Sequence, residues 1–332
     1  MESQQLAHAK EGYTDILARL NRASVAKHFD AYVDVPWDDP AAQVEPSDPR
    51  WQASVEPILS GSAWYQSQPA HVRARIALAF IAYQMKRGVE FENVLSRGLL
   101  EFALEQPNGS PAFRYAYHEL IEEGQHSLMF QEFVNRSGAD VPPMSAGYRL
   151  LARTVPRLGR VFPELFFMYV LAGEVPIDQT QRAVLRKGDA IHPLVRRIVQ
   201  IHVTEEARHV CFAHKYLASH VAELAAPRRW QLQIMAPFVA GETARLMLTP
   251  PLSFTQKLGI PDRAMREIYK SEGYRAYFAD AVRPLYETFK ELGLAPAATS
   301  PLWRMQGVTA AQTSRSALPS AQKPLLSSEA SP

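Results

Sequence analysis

Glu122-Glu123-Gly124-Gln125-His126 and, 83 residues further on, Glu205-Glu206-Ala207-Arg208-His209 decide the fold of this chain. Residues three apart on a helix share a face. Glu123 with His126, and Glu206 with His209, therefore each present a carboxylate and an imidazole together. A single such pair means little, because Glu and His on a helix are usually solvated. Two pairs, each preceded by a second glutamate, are hard to attribute to chance. Oxygen and nitrogen donors without thiolate suit iron or manganese and argue against a structural zinc site.

One architecture uses this pattern. Ferritin-like carboxylate proteins set a Glu-x-x-His pair on each of two bundle helices and a single Glu on each of two others. One more inward glutamate is therefore required before each pair. In the preceding helix the candidates are Glu90 and Glu92. Glu92 shares a face with Ile81, Met85, Gly88, Leu95 and Leu99, whereas Glu90 shares one with Lys86, Arg87, Arg97 and Glu101. The apolar stripe marks the buried side, which selects Glu92 and leaves Glu90 as a solvated surface acid. Before the second pair, Glu174 ends the apolar run Leu165 to Gly173, where a lone buried carboxylate is costly without a cation. Glu164, about three turns away at the other end of that run, reads as surface. The expected ligands are thus Glu92, Glu123, His126, Glu174, Glu206 and His209. His202 lies at i−4 from Glu206 and i−7 from His209, on a stripe with Val195, Val199 and Ala213, and is read as a seventh ligand. The matching position in the first half is Glu119, so the two halves differ chemically. Glu122, Glu205 and Arg208, and more weakly Asp178, are candidates for holding the ligands in place from outside; ordinary surface charge is the competing reading for each.

Working outward, the spacing predicts an all-α chain, with no strong period-two alternation anywhere. A helix follows Pro69 and runs to about Gln106, where Pro107-Asn108-Gly109 stops it. Ser110-Pro111 opens the next as N-cap and first helical residue, and Gly138 ends it. A third runs from Phe162 to Gly173, and any continuation beyond it must bend at Pro176. A fourth starts near His192-Pro193 and reaches about Ala222. Two or three further helices fill Arg228 to Leu292. Ahead of the bundle, residues 1–68 read as a short helix, about Tyr13 to His28, followed by an extended Pro-rich arm clamped by Trp37, Trp51 and Trp64. Residues 69–294 form the metal-binding domain. Residues 295–332, poor in large apolar side chains, read as a disordered tail.

Composition sets limits. Of the 332 residues 47% are hydrophobic, enough for a large core without disulfides, and Cys211 is the single cysteine, which suits a reducing cytoplasm. A net charge of +2 gives no electrostatic case for nucleic acid or an anionic membrane. No stretch is long and apolar enough to span a bilayer, and the N-terminus lacks a secretory pattern. A cytoplasmic homodimer is expected.

The order Glu92, Glu123-x-x-His126, Glu174, His202-x-x-x-Glu206-x-x-His209 resembles the diiron arylamine N-oxygenases, that is, the aureothin-type p-aminobenzoate oxygenases and their chloramphenicol-pathway relatives. The resemblance covers about residues 30 to 290. His202 is its distinguishing feature, and the arm Asp34-Val35-Pro36-Trp37-Asp38 with Asp48-Pro49-Arg50-Trp51 is also similar. It implies two iron ions, O2 as co-substrate, and stepwise oxidation of a small aryl amine through hydroxylamine and nitroso to nitro, in secondary metabolism such as antibiotic biosynthesis. An external electron donor is implied as well, because no flavin or nicotinamide fingerprint is present. A diiron hydroxylase, desaturase or C–C cleaving oxidase would share every ligand; a non-enzymatic iron-storage protein and, further off, a radical-generating subunit are separate competing readings. Phe113, Tyr117, Phe130, Phe166, Phe167, Tyr169 and Phe212 lie near the ligands and read as core.

Overall fold

The computed structural model describes residues 12–308, and every regular element among them is helical. The first helix, α1, spans Tyr13–Ala26. Residues 27–50 then cross the bundle without α-helix, apart from a 3-10 turn at Pro40–Ala42. The arm is not extended to residue 68, however: α2 covers Trp51–Leu59 and α3 covers Ala63–Gln66. Pro57 inside α2 cannot donate to the carbonyl four residues back. That carbonyl, of Ala53, instead accepts from Lys187 Nζ at 2.8 Å, so a sequence fault in the helix becomes a tie to the bundle. Trp51 adds another, stacking on His192 at 3.7 Å between ring centroids.

Four long helices form the centre: α4 (Ala70–Leu104), α5 (Pro111–Ser137), then, after short turns α6 (Ala146–Leu151) and α7 (Leu158–Val161), α8 (Pro163–Leu185) and α9 (Pro193–His220). Their ends follow the local chemistry read above. Gly109 adopts φ +80° in the α4–α5 turn, Ser110 Oγ accepts from the Phe113 amide, and Gly138 at φ +63° ends α5. His192 caps α9 through Nδ1, which accepts from the Leu194 amide. Helices α4 and α5 run antiparallel, since Ser127 meets Glu92 while Gln131 meets Lys86. Four further α-helices follow, one more than the upper expectation: α10 (Ala226–Leu248), α11 (Leu252–Lys257), α12 (Asp262–Lys270) and α13 (Glu272–Glu291). Pro250-Pro251, Gly259 to Pro261 and Ser271 divide them.

The expected tail is corrected at its start. Residues 297–299 make a 3-10 turn, and α14 (Ser300–Met305) buries Trp303, which is 1% exposed against the rings of Tyr286 and Phe289. One aromatic among small polar residues supplies the apolar area that the averaged composition hid. The rest of the expected tail, 309–332, and the first eleven residues lie outside the described residues.

Two apolar clusters fill the interior. One gathers Phe91, Phe167 and Phe212 with α10 and α13; the other gathers Trp51, Phe80, Phe133 and Ile198 beneath the arm. The site lies between them. Spacing there is set by small residues: a Cβ on Gly173 would lie 2.0 Å from the Phe91 ring, and one on Gly159 would lie 2.1 Å from the Gly98 carbonyl oxygen.

Candidate metal centre

Each stripe read from the sequence delivers its acid or imidazole to one place. Glu92 from α4, Glu123 and His126 from α5, Glu174 from α8, and His202, Glu206 and His209 from α9 are all buried. Their donor atoms fall into three overlapping groups, each within 4.8 Å: Glu123, His126, Glu206 and His209; Glu92, His126 and His202; Glu174, His202 and Glu206. His126 Nδ1 stands 3.3 Å from Glu123 and 3.4 Å from Glu206. His209 Nδ1 stands 3.1 Å from Glu123 and 3.2 Å from Glu206. His202 Nε2 points to Glu92 and Glu206 at 3.7 and 3.6 Å.

The outer nitrogens are held crosswise. His126 Nε2 donates to Glu205 of α9 at 2.9 Å, and His209 Nε2 donates to Glu122 of α5 at 2.8 Å. Arg208 Nη2 approaches both acids, at 2.9 Å to Glu122 and 3.5 Å to Glu205. Thus Glu122 and Glu205 each hold one imidazole from outside, and Arg208 reaches those two acids but neither ring. Asp178 does not join them, because its carboxylate pairs with Arg182 one turn along α8. Ser127, which sequence reasoning missed, donates to Glu92 Oε2 at 2.7 Å. Its only sequence signal is its place beside His126 on the same helix.

Two surface assignments are corrected. Glu90 is half-buried, pairs with Arg87 at 2.9 Å and accepts from the Met144 amide at 2.8 Å. Arg87, taken as part of an exposed face, is itself buried and donates to the Pro142 carbonyl. Both lie under the segment linking α5 to α6, a cover that helical periodicity on α4 cannot reveal. Glu164 is buried as well, at 7% exposure.

Charge decides what the cluster can hold. Burial raises Glu92 well above the ordinary carboxylate range, and repulsion from Glu123 adds to it; burial and then Glu206 do the same to Glu174. Burial pushes His126 down, but hydrogen bonds to Glu123 and Glu205 outweigh it and hold the ring well above its usual value. Burial would also raise Glu122, yet His209 and Arg208 outweigh it and bring that acid down to about 2. His202 is driven well below its usual value by burial and by His126, so it stays neutral. Burial and mutual repulsion thus favour protons on Glu92 and Glu174, and cations placed among these donors would favour the ionised carboxylates instead. Oε1 of Glu92, Oε1 of Glu174, Oε2 of Glu206 and Nδ1 of His202 are buried with no hydrogen-bond partner. Four carboxylates with three imidazoles, several donor atoms still free, fit two hard-to-borderline metal ions such as iron.

A family model described as p-aminobenzoate N-oxygenase AurF matches residues 10–293. The chain is 36% identical over 294 residues to the uncharacterized protein Mb0909 of Mycobacterium bovis and, to the same degree, to the uncharacterized protein Rv0885 of Mycobacterium tuberculosis. In both cases the match covers 88% of this chain and 86% of the relative. With the match spanning the whole bundle, the chain belongs to the p-aminobenzoate N-oxygenase AurF family, a family of non-haem diiron enzymes that work with O2.

Proposed function

We propose that this protein oxidises the nitrogen of a small aryl amine, with Glu92, Glu123, His126, Glu174, His202, Glu206 and His209 as the ligands of its two irons. The observation that carries this reading is the crossed pair of Glu-Glu-x-x-His segments, each outer glutamate holding the other helix's imidazole. That hydrogen bond fixes each ring with Nε2 protonated and leaves the Nδ1 lone pair facing the shared carboxylates. When bound, the iron pair supplies the activation of O2. Glu122, Glu205 and Arg208 keep the rings from turning, Ser127 orients Glu92, and the two apolar clusters exclude water from both sides.

Further parts of the proposal rest on their own observations. An external electron donor must supply reducing equivalents, since the sequence carries no flavin or nicotinamide fingerprint. The arm up to residue 68 serves to brace the bundle core, supported by Arg136 donating to the Trp37 carbonyl and Arg197 to that of Asp34. A homodimer is supported by an exposed apolar stripe on α5. Among the described residues no helix is long and apolar enough to cross a membrane. The test is conversion of a panel of aryl amines by iron-loaded protein with a chemical reductant, followed by mass. Hydroxylamine, nitroso or nitro products are expected. Oxidation confined to carbon across the panel would leave the metal centre standing and remove the N-oxygenase reading.

A further inference from the structure

We propose that the segment joining α5 to α8 is the docking face for the external electron donor, and that the donor is a small acidic carrier protein. Residues 141–163 hold Arg149, Arg153, Arg157 and Arg160 and no Asp or Glu. The chain as a whole is near neutral at +2, so this is a local excess. The segment packs by its other side: Met144, Val155, Pro156, Gly159 and Phe162 are buried, while all four arginines are exposed. Among the described residues Arg153 and Arg157 have no acid partner, and Arg160 meets Glu101 only at 3.9 Å. Arg228 of α10 adds a further positive charge, donating to the Val161 carbonyl. Leu150, Leu151 and Val161 on the same segment are each more than half exposed. Like charges gathered on a short segment repel, and exposed apolar side chains add nothing to folding. A partner of opposite charge relieves both.

The face is also placed for the task, because it lies over α4 close to Glu92. Glu90, two residues before that proposed ligand, accepts from the Met144 amide at 2.8 Å. Gly159 lies against the carbonyl of Gly98, six residues and so about 9 Å along the same helix from Glu92. From Tyr148 aromatic contacts lead inward. Its hydroxyl meets that of Tyr169 at 2.9 Å, and the Tyr169 ring lies 5.1 Å from Phe91 between centroids. Phe91 adjoins Glu92 in sequence and packs on Gly173, which adjoins Glu174. Two proposed ligands, on two helices, thus stand at the inner end of that contact.

Hydroxylating an amine consumes one dioxygen, two electrons and two protons, and gives the hydroxylamine and one water. A carrier that yields one electron at a time docks twice per hydroxylation, reduced on arrival and oxidised on departure. Attraction between opposite charges suits that traffic, since it speeds encounter without needing a tight complex. An anionic lipid surface is the rival occupant. Three apolar side chains on two short helices are a poor anchor for a bilayer, whereas a small apolar centre with a charged rim is the make-up of a transient protein interface.

The inference rests on the oxygenase reading above, and its test separates the two. Iron-loaded wild type, Arg153→Glu/Arg157→Glu, Leu150→Ser and a control, Arg263→Glu/Arg266→Glu, are compared; the control changes net charge equally, on α12. The probes are a two-iron, two-sulfur ferredoxin of net negative charge and phosphatidylserine vesicles. Binding is measured at low and high salt, electron transfer from reduced ferredoxin by absorbance without oxygen, and amine oxidation with dithionite as the donor. Wild type is expected to bind the ferredoxin, more weakly as salt rises. Arg153→Glu/Arg157→Glu should keep its iron and its dithionite-driven rate, and lose about tenfold or more in ferredoxin affinity and electron transfer. Leu150→Ser should lose affinity at both salt levels. Unchanged affinity in the arginine variant, or an equal loss in the α12 control, overturns the face. So does wild type that binds the vesicles and not the ferredoxin, or that binds neither. Amine oxidation with dithionite in that case leaves the function standing. Ferredoxin binding and transfer as expected, with amines untouched, defeats the function and not the face.

Discussion

At the residue scale, the site divides into the proposed metal ligands and the groups that aim them, and the two are separable by measurement. The carboxylates of Glu123 and Glu206 each face both imidazoles, Glu206 through one oxygen and Glu123 through two, so Glu123→Ala and Glu206→Ala should lose most of their iron on elemental analysis. Glu205→Gln keeps the shape but weakens the grip on His126, and the expected cost is about 10- to 100-fold in metal affinity. Asp178→Ala, which breaks only a pairing with Arg182, should leave affinity unchanged in the same chelator competition. Glu119 gives a pH-dependent prediction for the metal-free protein. Burial raises it from 4.5 to about 8, so between those values the folded chain holds a proton that the unfolded chain has released. The stability lost grows as pH rises across that window, at roughly 1.4 kcal/mol per unit as an upper bound. Glu119→Gln removes the term, and its gain in melting temperature should be larger at pH 8 than at pH 5. A gain that is equal at both, or reversed, would contradict a protonated Glu119. That the seven expected ligands would meet in one buried place was legible, because helical spacing converts sequence into a shared face. Ser127, the buried Arg87–Glu90 pair and the displacement of Asp178 were not, because each depends on what a neighbouring segment covers.

At the element scale, the bundle works because its helices approach closely where the sequence places glycine. Helical boundaries were readable from Ser110, Gly138 and His192-Pro193, since caps are local chemistry. Helix spacing was not, since the demand at Gly159 comes from the backbone of α4. A methyl group there meets a carbonyl oxygen, which cannot rotate away as a side chain can. Gly159→Ala is therefore expected to cost about 1–3 kcal/mol and to lower iron occupancy by shifting α4, which carries Glu92. Gly273→Ala, where an added methyl meets nothing within 4 Å at the exposed start of α13, should be neutral or slightly stabilising. Thermal melts of the two variants compare them directly. Equal melting would mean that α4 and α7 have more freedom to separate than their contact suggests.

At the scale of the whole molecule, the helix that carries Glu122, Glu123 and His126 inward presents an apolar stripe outward. Phe113, Tyr117, Ile121 and Leu128 are 44%, 41%, 61% and 46% exposed, with the bare backbone of Gly124 among them. The stripe is complementary to itself. If two copies cross antiparallel about a two-fold axis near Ile121, Phe113 of one meets Leu128 of the other, and Tyr117 meets Gly124, each contact occurring twice. Glycine at the crossing lets the aromatic ring approach the opposite backbone. Such a dimer would also stiffen α5 and with it Glu123 and His126, two of the seven proposed ligands. Ile121→Glu sets two like charges against each other at the axis and removes apolar area from both copies. It is expected to convert a dimer to a monomer in light scattering after size exclusion, at a protein concentration where wild type stays paired. Its iron content should stay at or near the wild-type level, because Ile121 faces away from the ligands. Dimeric Ile121→Glu would place the interface elsewhere on the surface, and monomeric wild type would mean that this stripe is left to some other partner.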